Sequence, residues 1–176
     1  YITVGTVPTA GFSSSLNGLT ASFTNNSAGA TSYLWNFGDN QTSNETNPTH
    51  TYAQDGTYTV TLTATNACGS TVFTQQVVIV TPPVAAFTAS PTNGCGPLTV
   101  QFTNQSSANA TAYNWSFPGG TPSNSNEQNP TVTYNAPGTY SVTLTASNGA
   151  GSATAVKTDY ITVGTVPTAG FSSSLN

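Results

Sequence analysis

The sequence predicts an all-β protein built of antiparallel sandwiches, and three observations predict it. Along Tyr58-Thr-Val-Thr-Leu-Thr-Ala-Thr-Asn66 the apolar residues Tyr58, Val60, Leu62 and Ala64 alternate with threonine. A period of two places the apolar set on one sheet face and the hydroxyls in water. Turn dipeptides punctuate the chain at Asn17-Gly18, Asp55-Gly56, Asn93-Gly94, Pro137-Gly138 and Asn148-Gly149, a spacing that fits short antiparallel strands. No stretch keeps an apolar period of 3.6 residues, so no helix competes.

The elements follow in order. Tyr1-Ile-Thr-Val4 alternates like a strand, and the seventeen residues YITVGTVPTAGFSSSLN fill both 1–17 and 160–176, a shift of 159. Pro8–Asn17 opens the first copy of a second, domain-sized repeat. Phe12 answers Phe87, Phe23 answers Phe102, Trp35 answers Trp115, and Phe37 answers Phe117. Asn47-Pro-Thr-His-Thr-Tyr52 answers Asn129-Pro-Thr-Val-Thr-Tyr134. The long strand from Tyr58 recurs as Tyr140-Ser-Val-Thr-Leu-Thr-Ala-Ser-Asn148. The offset drifts from 75 to 82 residues, chiefly through a longer Ser90–Pro97 loop in the second copy. Thr81-Pro82-Pro83 links the copies. Tyr160-Ile-Thr-Val163 alternates in phase with Val156 and completes the last strand of the second. The expected division is therefore 5–81 and 82–165. Residues 1–4 are expected to be the last strand of a preceding repeat, and 166–176 the first strand of a following one.

Composition narrows the function. Only 3% of the 176 residues are charged; Lys157 is the sole base, and five acids bring the net charge to −4. Binding to a nucleic-acid backbone needs a basic footprint, which is missing. No run of about eighteen apolar residues spans a membrane, and no charged-then-apolar signal peptide precedes the first strand, so any such signal is expected outside this chain. Polarity comes from 34 Thr, 20 Ser and 18 Asn. With aromatics at 10% and abundant β-branched residues, this composition describes folded strands rather than disorder. Near absence of Lys and Arg suits an extracellular setting, where it removes sites for trypsin-like proteases.

Tyr33-Leu-Trp-Asn-Phe-Gly-Asp39, Asn47-Pro-Thr-His-Thr-Tyr52 and Gly56–Asn66, in that order and spacing, resemble the PKD (polycystic kidney disease) domain. The second copy departs from the pattern. Asn114-Trp-Ser-Phe-Pro-Gly-Gly120 replaces the Trp-x-Phe-Gly-Asp turn, and Val132 stands where His50 stands. The resemblance implies two tandem immunoglobulin-like β-sandwiches in a head-to-tail array. It also implies a spacer, adhesive or accessory role outside the cell, as in surface proteins of bacteria and archaea.

The motif residues have structural readings. Trp35 and Trp115 fit the buried tryptophan of a sandwich, and Tyr58 and Tyr140 fit a tyrosine corner. Phe37, Gly38, Tyr52, Phe117 and Tyr134 complete the motif set. Asp39 follows a glycine in a turn, where its carboxylate can accept backbone N–H groups. Its functional rival is a calcium site with Asp55. Hard cations want six or more oxygens, and only Glu45 is also at hand. No metal or other cofactor is expected. His50, the only histidine, reads as a strand residue at a domain edge. The second copy offers only Glu127 and Asp159, so neither a nucleophile–base pair nor paired carboxylates repeat, and no enzyme is expected. Six Asn-x-Ser/Thr sequons, at Asn25, Asn40, Asn44, Asn104, Asn109 and Asn114, are candidate glycan acceptors. Composition alone yields about that many.

The cysteines number two, one per copy. In an immunoglobulin-like sandwich Cys68 falls in the hairpin of the last two strands, where the chain enters the domain. Cys95 falls in the loop between the first two, where it leaves. A strand of about ten residues makes a domain some 35 Å long, so head-to-tail domains hold these sulfurs far beyond the roughly 7 Å between Cα atoms that a disulfide allows. In a periodic array the expected staple runs from Cys95 of one unit to Cys68 of the next, with free buried cysteines as the rival. The whole then reads as a stretch of an extracellular fibre, stalk or filament with an axial repeat of about 70–80 Å. Its partners would be copies of itself and glycans. Strand donation between subunits and an adhesin or polysaccharide-binding module are the competing readings.

Overall fold

A computed structural model describes residues 5–165 and Gly170, and in it the chain divides between Thr81 and Pro82 into two all-β domains. The expectations for residues 1–4 and 166–176 fall outside the described residues, Gly170 apart.

Domain 1 contains β1 (Phe12–Asn17), β2 (Thr20–Asn25), β3 (Ser32–Asn36), β4 (Thr42–Ser43), β5 (Thr49–Thr51), β6 (Gly56–Asn66) and β7 (Gly69–Ile79). These form two sheets, β1-β2-β5 and β4-β3-β6-β7, all antiparallel. The threonine alternation has the expected result: Val60, Leu62 and Ala64 are completely buried while the intervening threonines are not. Phe12, Ala21 and Phe23 from the first sheet meet Trp35, Val60, Leu62, Val77 and Ile79 from the second in one apolar core. Burying such side chains contributes about 1.5–3 kcal/mol each relative to exposure, which lets a nearly uncharged chain hold a sandwich.

Domain 2 contains β8 (Phe87–Ser90), β9 (Asn93–Cys95), β10 (Leu98–Asn104), β11 (Ala112–Ser116), β12 (Gly120–Thr121), β13 (Asn124–Ser125), β14 (Thr131–Tyr134), β15 (Gly138–Asn148) and β16 (Gly151–Gly164). Its sheets are β12-β14-β10-β8 and β13-β11-β15-β16-β9. The core repeats the pattern, with Phe87, Val100, Phe102 and Val132 against Trp115, Val142, Leu144, Ile161 and Val163. The segment Tyr160–Val163 belongs to this domain. It ends β16, its Tyr160 ring packs edge-on against Phe87 at 5.8 Å, and the Tyr160 hydroxyl accepts from the Ala89 N–H at 3.1 Å.

The Ser90–Pro97 segment differs from the expected loop. Its middle is β9, a parallel partner of the end of β16, with Asn93, Gly94 and Cys95 opposite Thr162, Val163 and Gly164. Parallel pairing of a three-residue strand leaves no alternation to read, so the pattern predicted only a turn.

Candidate functional site

Side-chain amides and hydroxyls do here what charges do in other proteins: they satisfy the loop backbone. Asn47 Oδ1 accepts the Asn25 N–H at 2.8 Å, and Asn129 Oδ1 accepts the Asn104 N–H at 2.8 Å. That pair of bonds explains the asparagine of both Asn-Pro-Thr motifs, which ties the strand to its neighbour. Asn25 and Asn104 in turn accept from Ser27 and Ser106, and Asn66 and Asn148 from Cys68 and Ala150, in Asx turns two residues long.

The aromatic motif residues occupy matching places. Trp35 and Trp115 are fully buried, and each indole N–H donates at 2.9 Å to a glutamate backbone carbonyl, that of Glu45 and of Glu127. Tyr58 donates to the Gln54 carbonyl at 3.0 Å and Tyr140 to the Ala136 carbonyl at 2.7 Å, four residues back, the tyrosine-corner geometry. Phe37 and Phe117 are buried beside the tryptophans, and Trp115 stacks on Phe117 at 5.6 Å. Gly38 has φ of 85° and lies so near β6 that a Cβ would stand 2.7 Å from the Thr59 carbonyl oxygen. Glycine is required there for both reasons.

Asp39 and His50, which sequence reading kept apart, form a polar pair. His50 does sit on β5, an edge strand, but its ring points inward. It is 8% exposed and stacks on Phe37 at 4.1 Å with the planes 2° apart. Its Nε2 lies 2.7 Å from Asp39 Oδ2, and because a carboxylate only accepts, Nε2 carries the proton. Asp39 Oδ1 accepts the Gln41 N–H at 3.1 Å, the turn bond expected of it. Burial pulls the Asp39 carboxyl upward, but the bonds from His50 and Gln41 and the attraction of the imidazole outweigh it and hold the group below its usual 3.8. The sequence held only a weak signal for this pair: the single histidine and a turn aspartate lie eleven residues apart in two separate pieces of the motif.

Asp39 and Asp55, the two calcium candidates, both bond to other groups of the chain. Asp39 is committed to His50. Asp55 accepts from the Thr81 N–H at 3.0 Å and from its hydroxyl at 3.0 Å, fastening the end of domain 1. Among the described residues no three His, Cys, Asp or Glu side chains gather into a metal-binding group. Tyr52 and Tyr134 are pushed up to about 12, in both cases chiefly by burial, then by Asp39 and Tyr58 for Tyr52 and by Tyr140 for Tyr134.

The remaining candidates lie on the surface to different degrees. Asn40, Asn44 and Asn114 are exposed, Asn104 and Asn109 are half-buried, and the Asn25 side-chain nitrogen is buried, leaving no room for a sugar in the folded domain. Cys68 and Cys95 are exposed free thiols. Cys68 sits in the β6–β7 turn as expected, beside Gly5, and Cys95 lies on β9 rather than in a plain loop. Lys157 places its Nζ 4.4 Å above the Tyr160 ring and 5.0 Å above that of Phe87, a cation–π contact. Among the described residues no helix is long and apolar enough to cross a membrane.

The comparisons with known proteins agree with this architecture. The family model of the PKD domain matches twice, over residues 8–81 and 79–163. The pre-pro-metalloprotease PrtV of Vibrio cholerae is 40% identical over 87 residues, 47% of this chain and 10% of the relative. Collagenase ColA of Bacillus cereus is 63% identical over 38 residues, 22% of this chain and 4% of the relative. The chain thus spans a tenth or less of the length of these curated relatives. Among solved structures, the PKD1 domain of the Vibrio cholerae PrtV is 36% identical with a TM-score of 0.41, covering 43% of this chain and all of that one. The amphioxus IgVJ-C2 molecule has a TM-score of 0.50 at 15% identity, covering 82% of this chain and 97% of that one, a likeness of fold alone.

Proposed function

The chain belongs to the PKD-domain family, through two consecutive domains, and from that premise we propose that it is a non-catalytic structural repeat of a longer extracellular bacterial or archaeal array, a fibre, stalk or surface filament. The observation that carries this reading is the seventeen-residue segment found twice, 159 residues apart. Its start, as Tyr160–Gly164, is the end of β16 in domain 2. Its continuation, as residues 5–17, runs into β1 of domain 1. One segment thus holds the end of one domain and the beginning of the next, as a junction in a tandem chain must. Each domain has its own core, so copies add without new packing. Domain 1 already has its opening strand, which removes the need for a donated one.

Partial proteolysis of the native material with mass measurement tests it. The expected result is a ladder of fragments in 159-residue steps, with longitudinal periodicity in electron micrographs. Compact particles without a ladder overturn it.

A second reading, an accessory module of a secreted protease, draws on the similarity to PrtV and ColA. Polysaccharide or protein binding by stacked aromatics gains little support. Both tryptophans are fully buried, and the large apolar side chains at the surface include Leu34, Val72 and Val156. Glycans on the exposed Asn40, Asn44 and Asn114 would suit either setting.

A further inference from the structure

We propose that the junction between consecutive copies of the 159-residue unit is stapled by a disulfide from Cys95 of one copy to Cys68 of the next, an inference that rests on the tandem reading above. Two contacts, each within one domain, carry it. In domain 2, Cys95 is the register partner of Gly164 across the β9–β16 pair, and the Gly96 N–H donates to the Gly164 carbonyl at 3.2 Å. Neighbouring strands lie about 4.8 Å apart. In domain 1, Gly5 lies so close to Cys68 that a Cβ added to Gly5 would overlap the Cys68 Sγ. Gly5 and Gly164 hold the same place in the repeated segment. In a tandem chain they are one residue. That single glycine then has Cys95 beside it on one strand and the next copy's Cys68 thiol against its open side. A disulfide, with Cα atoms about 4.4–6.8 Å apart, spans that scale.

The segment after Gly5 fixes the geometry further. Asn66 Nδ2 donates to the Thr6 carbonyl at 2.8 Å, and the Thr71 hydroxyl donates to the Pro8 carbonyl at 2.6 Å. These bonds hold the incoming chain on the β6–β7 hairpin that carries Cys68.

The junction at Thr81-Pro82 serves as an internal control. Strand register makes Ile79 the counterpart of Val163, since they face Gly56 and Gly138, and so makes Val80 the counterpart of Gly164. The Asx turns of Asn66 and Asn148 make Ala150 the counterpart of Cys68. Among the described residues, domain 1 has no strand equivalent to β9. The glycine and both cysteines therefore occur together at the repeat junction; at the other, valine and alanine replace the glycine and Cys68, and Cys95 has no counterpart among the described residues. A thiol retained for packing would not be matched with a missing side chain in this way.

Closure is a thiol–disulfide exchange with a protein or glutathione disulfide as oxidant. One cysteine thiolate attacks the oxidant's disulfide, releasing one thiolate and forming a mixed disulfide. The second cysteine thiolate displaces the other half, so one S–S bond forms in the protein, one is broken in the oxidant, and two electrons pass to the oxidant. Both thiols are exposed and accessible to it.

The test is this chain lengthened by one further 159-residue copy, equilibrated in a glutathione redox buffer and digested with pepsin without reduction. The expected product is a peptide joining Cys95 of the first copy to Cys68 of the second, with two of the four thiols lost to titration. Cys95→Ser in the first copy should restore Cys68 of the second as a free thiol, with an unchanged circular dichroism spectrum confirming the fold. Four titratable thiols, or any other pairing, overturn the staple. The two readings separate cleanly. A native 159-residue ladder without this peptide keeps the array and removes the staple. The peptide in the lengthened chain without a native ladder removes the array, and the native staple with it.

Discussion

The two domains share a scaffold and differ in how they fill one turn. In domain 1 the turn after Phe37 presents Asp39 to His50, whose ring stacks on Phe37. In domain 2, Val132 takes the histidine's place, and a Cβ on Gly120 would stand 2.5 Å from its Cγ1. An ion-competent pair has been exchanged for close apolar packing on a glycine. The indole bonds, the tyrosine corners and the Asn-Pro-Thr bridges are unchanged. What both domains keep specifies the fold, and what they exchange is one of two ways to close the same corner. The comparison reduces the Asp39–His50 pair from a candidate site to a local solution.

The largest expected effect probes what the domains share. Trp35→Ala and Trp115→Ala each remove a fully buried indole and its bond to a carbonyl, which should cost about 3–5 kcal/mol. Because the two core clusters have no member in common, each substitution should remove one calorimetric transition and leave the other in place. A single change that abolishes both transitions would break the picture of two self-sufficient sandwiches.

The next effect probes what they exchange. Asp39 has its carboxyl held below 3.8, so its stabilisation is complete above that pH and is lost as pH falls through the folded value. Domain 2 carries no counterpart, so acid should weaken domain 1 first. His50→Val should cost about 1–3 kcal/mol at neutral pH, because it leaves a partly buried carboxylate without its partner. Paired with Asp39→Asn it should show a coupling of about 0.5–3 kcal/mol. Acid melting curves that stay parallel for the two domains would remove the distinction. The alkaline side offers no such contrast. Tyr52 and Tyr134 both rise to about 12, so the stability they give is present below pH 10 and lost toward pH 12 in each domain alike.

This asymmetry marks how far the sequence could be read. The Tyr58–Asn66 and Tyr140–Asn148 alternations gave the strands, and the all-β class follows from them, because side-chain period alone decides which face is buried. The tryptophans and corner tyrosines were legible because each has one structural job. The Asp39–His50 bond was not, since the partners lie eleven residues apart on a turn and an edge strand that only the folded sheets bring together. β9 was hidden for a related reason. Its stability comes from the parallel edge of β16, and nothing in Asn93-Gly-Cys95 records that edge.

The smallest effect is the most local difference. The Tyr52 hydroxyl donates to the Phe37 carbonyl at 3.1 Å. In domain 2 the corresponding Phe117 carbonyl already accepts the Gly120 N–H at 2.9 Å, and the buried Tyr134 hydroxyl has no partner among the described residues. The turn that replaced Asp39 and His50 bonds to that carbonyl from its own backbone, and the Tyr134 hydroxyl makes no bond to it. A made bond contributes about 0.5–1.5 kcal/mol, whereas a buried hydroxyl without one is a desolvation cost. Tyr52→Phe should then destabilise domain 1 by about 1 kcal/mol, and Tyr134→Phe should leave domain 2 unchanged or stabilise it by up to about 1 kcal/mol. Urea titrations of the two variants decide it. Equal losses would mean that the Tyr134 hydroxyl finds a partner after all, and that the two turns are closer in energy than their bonding implies.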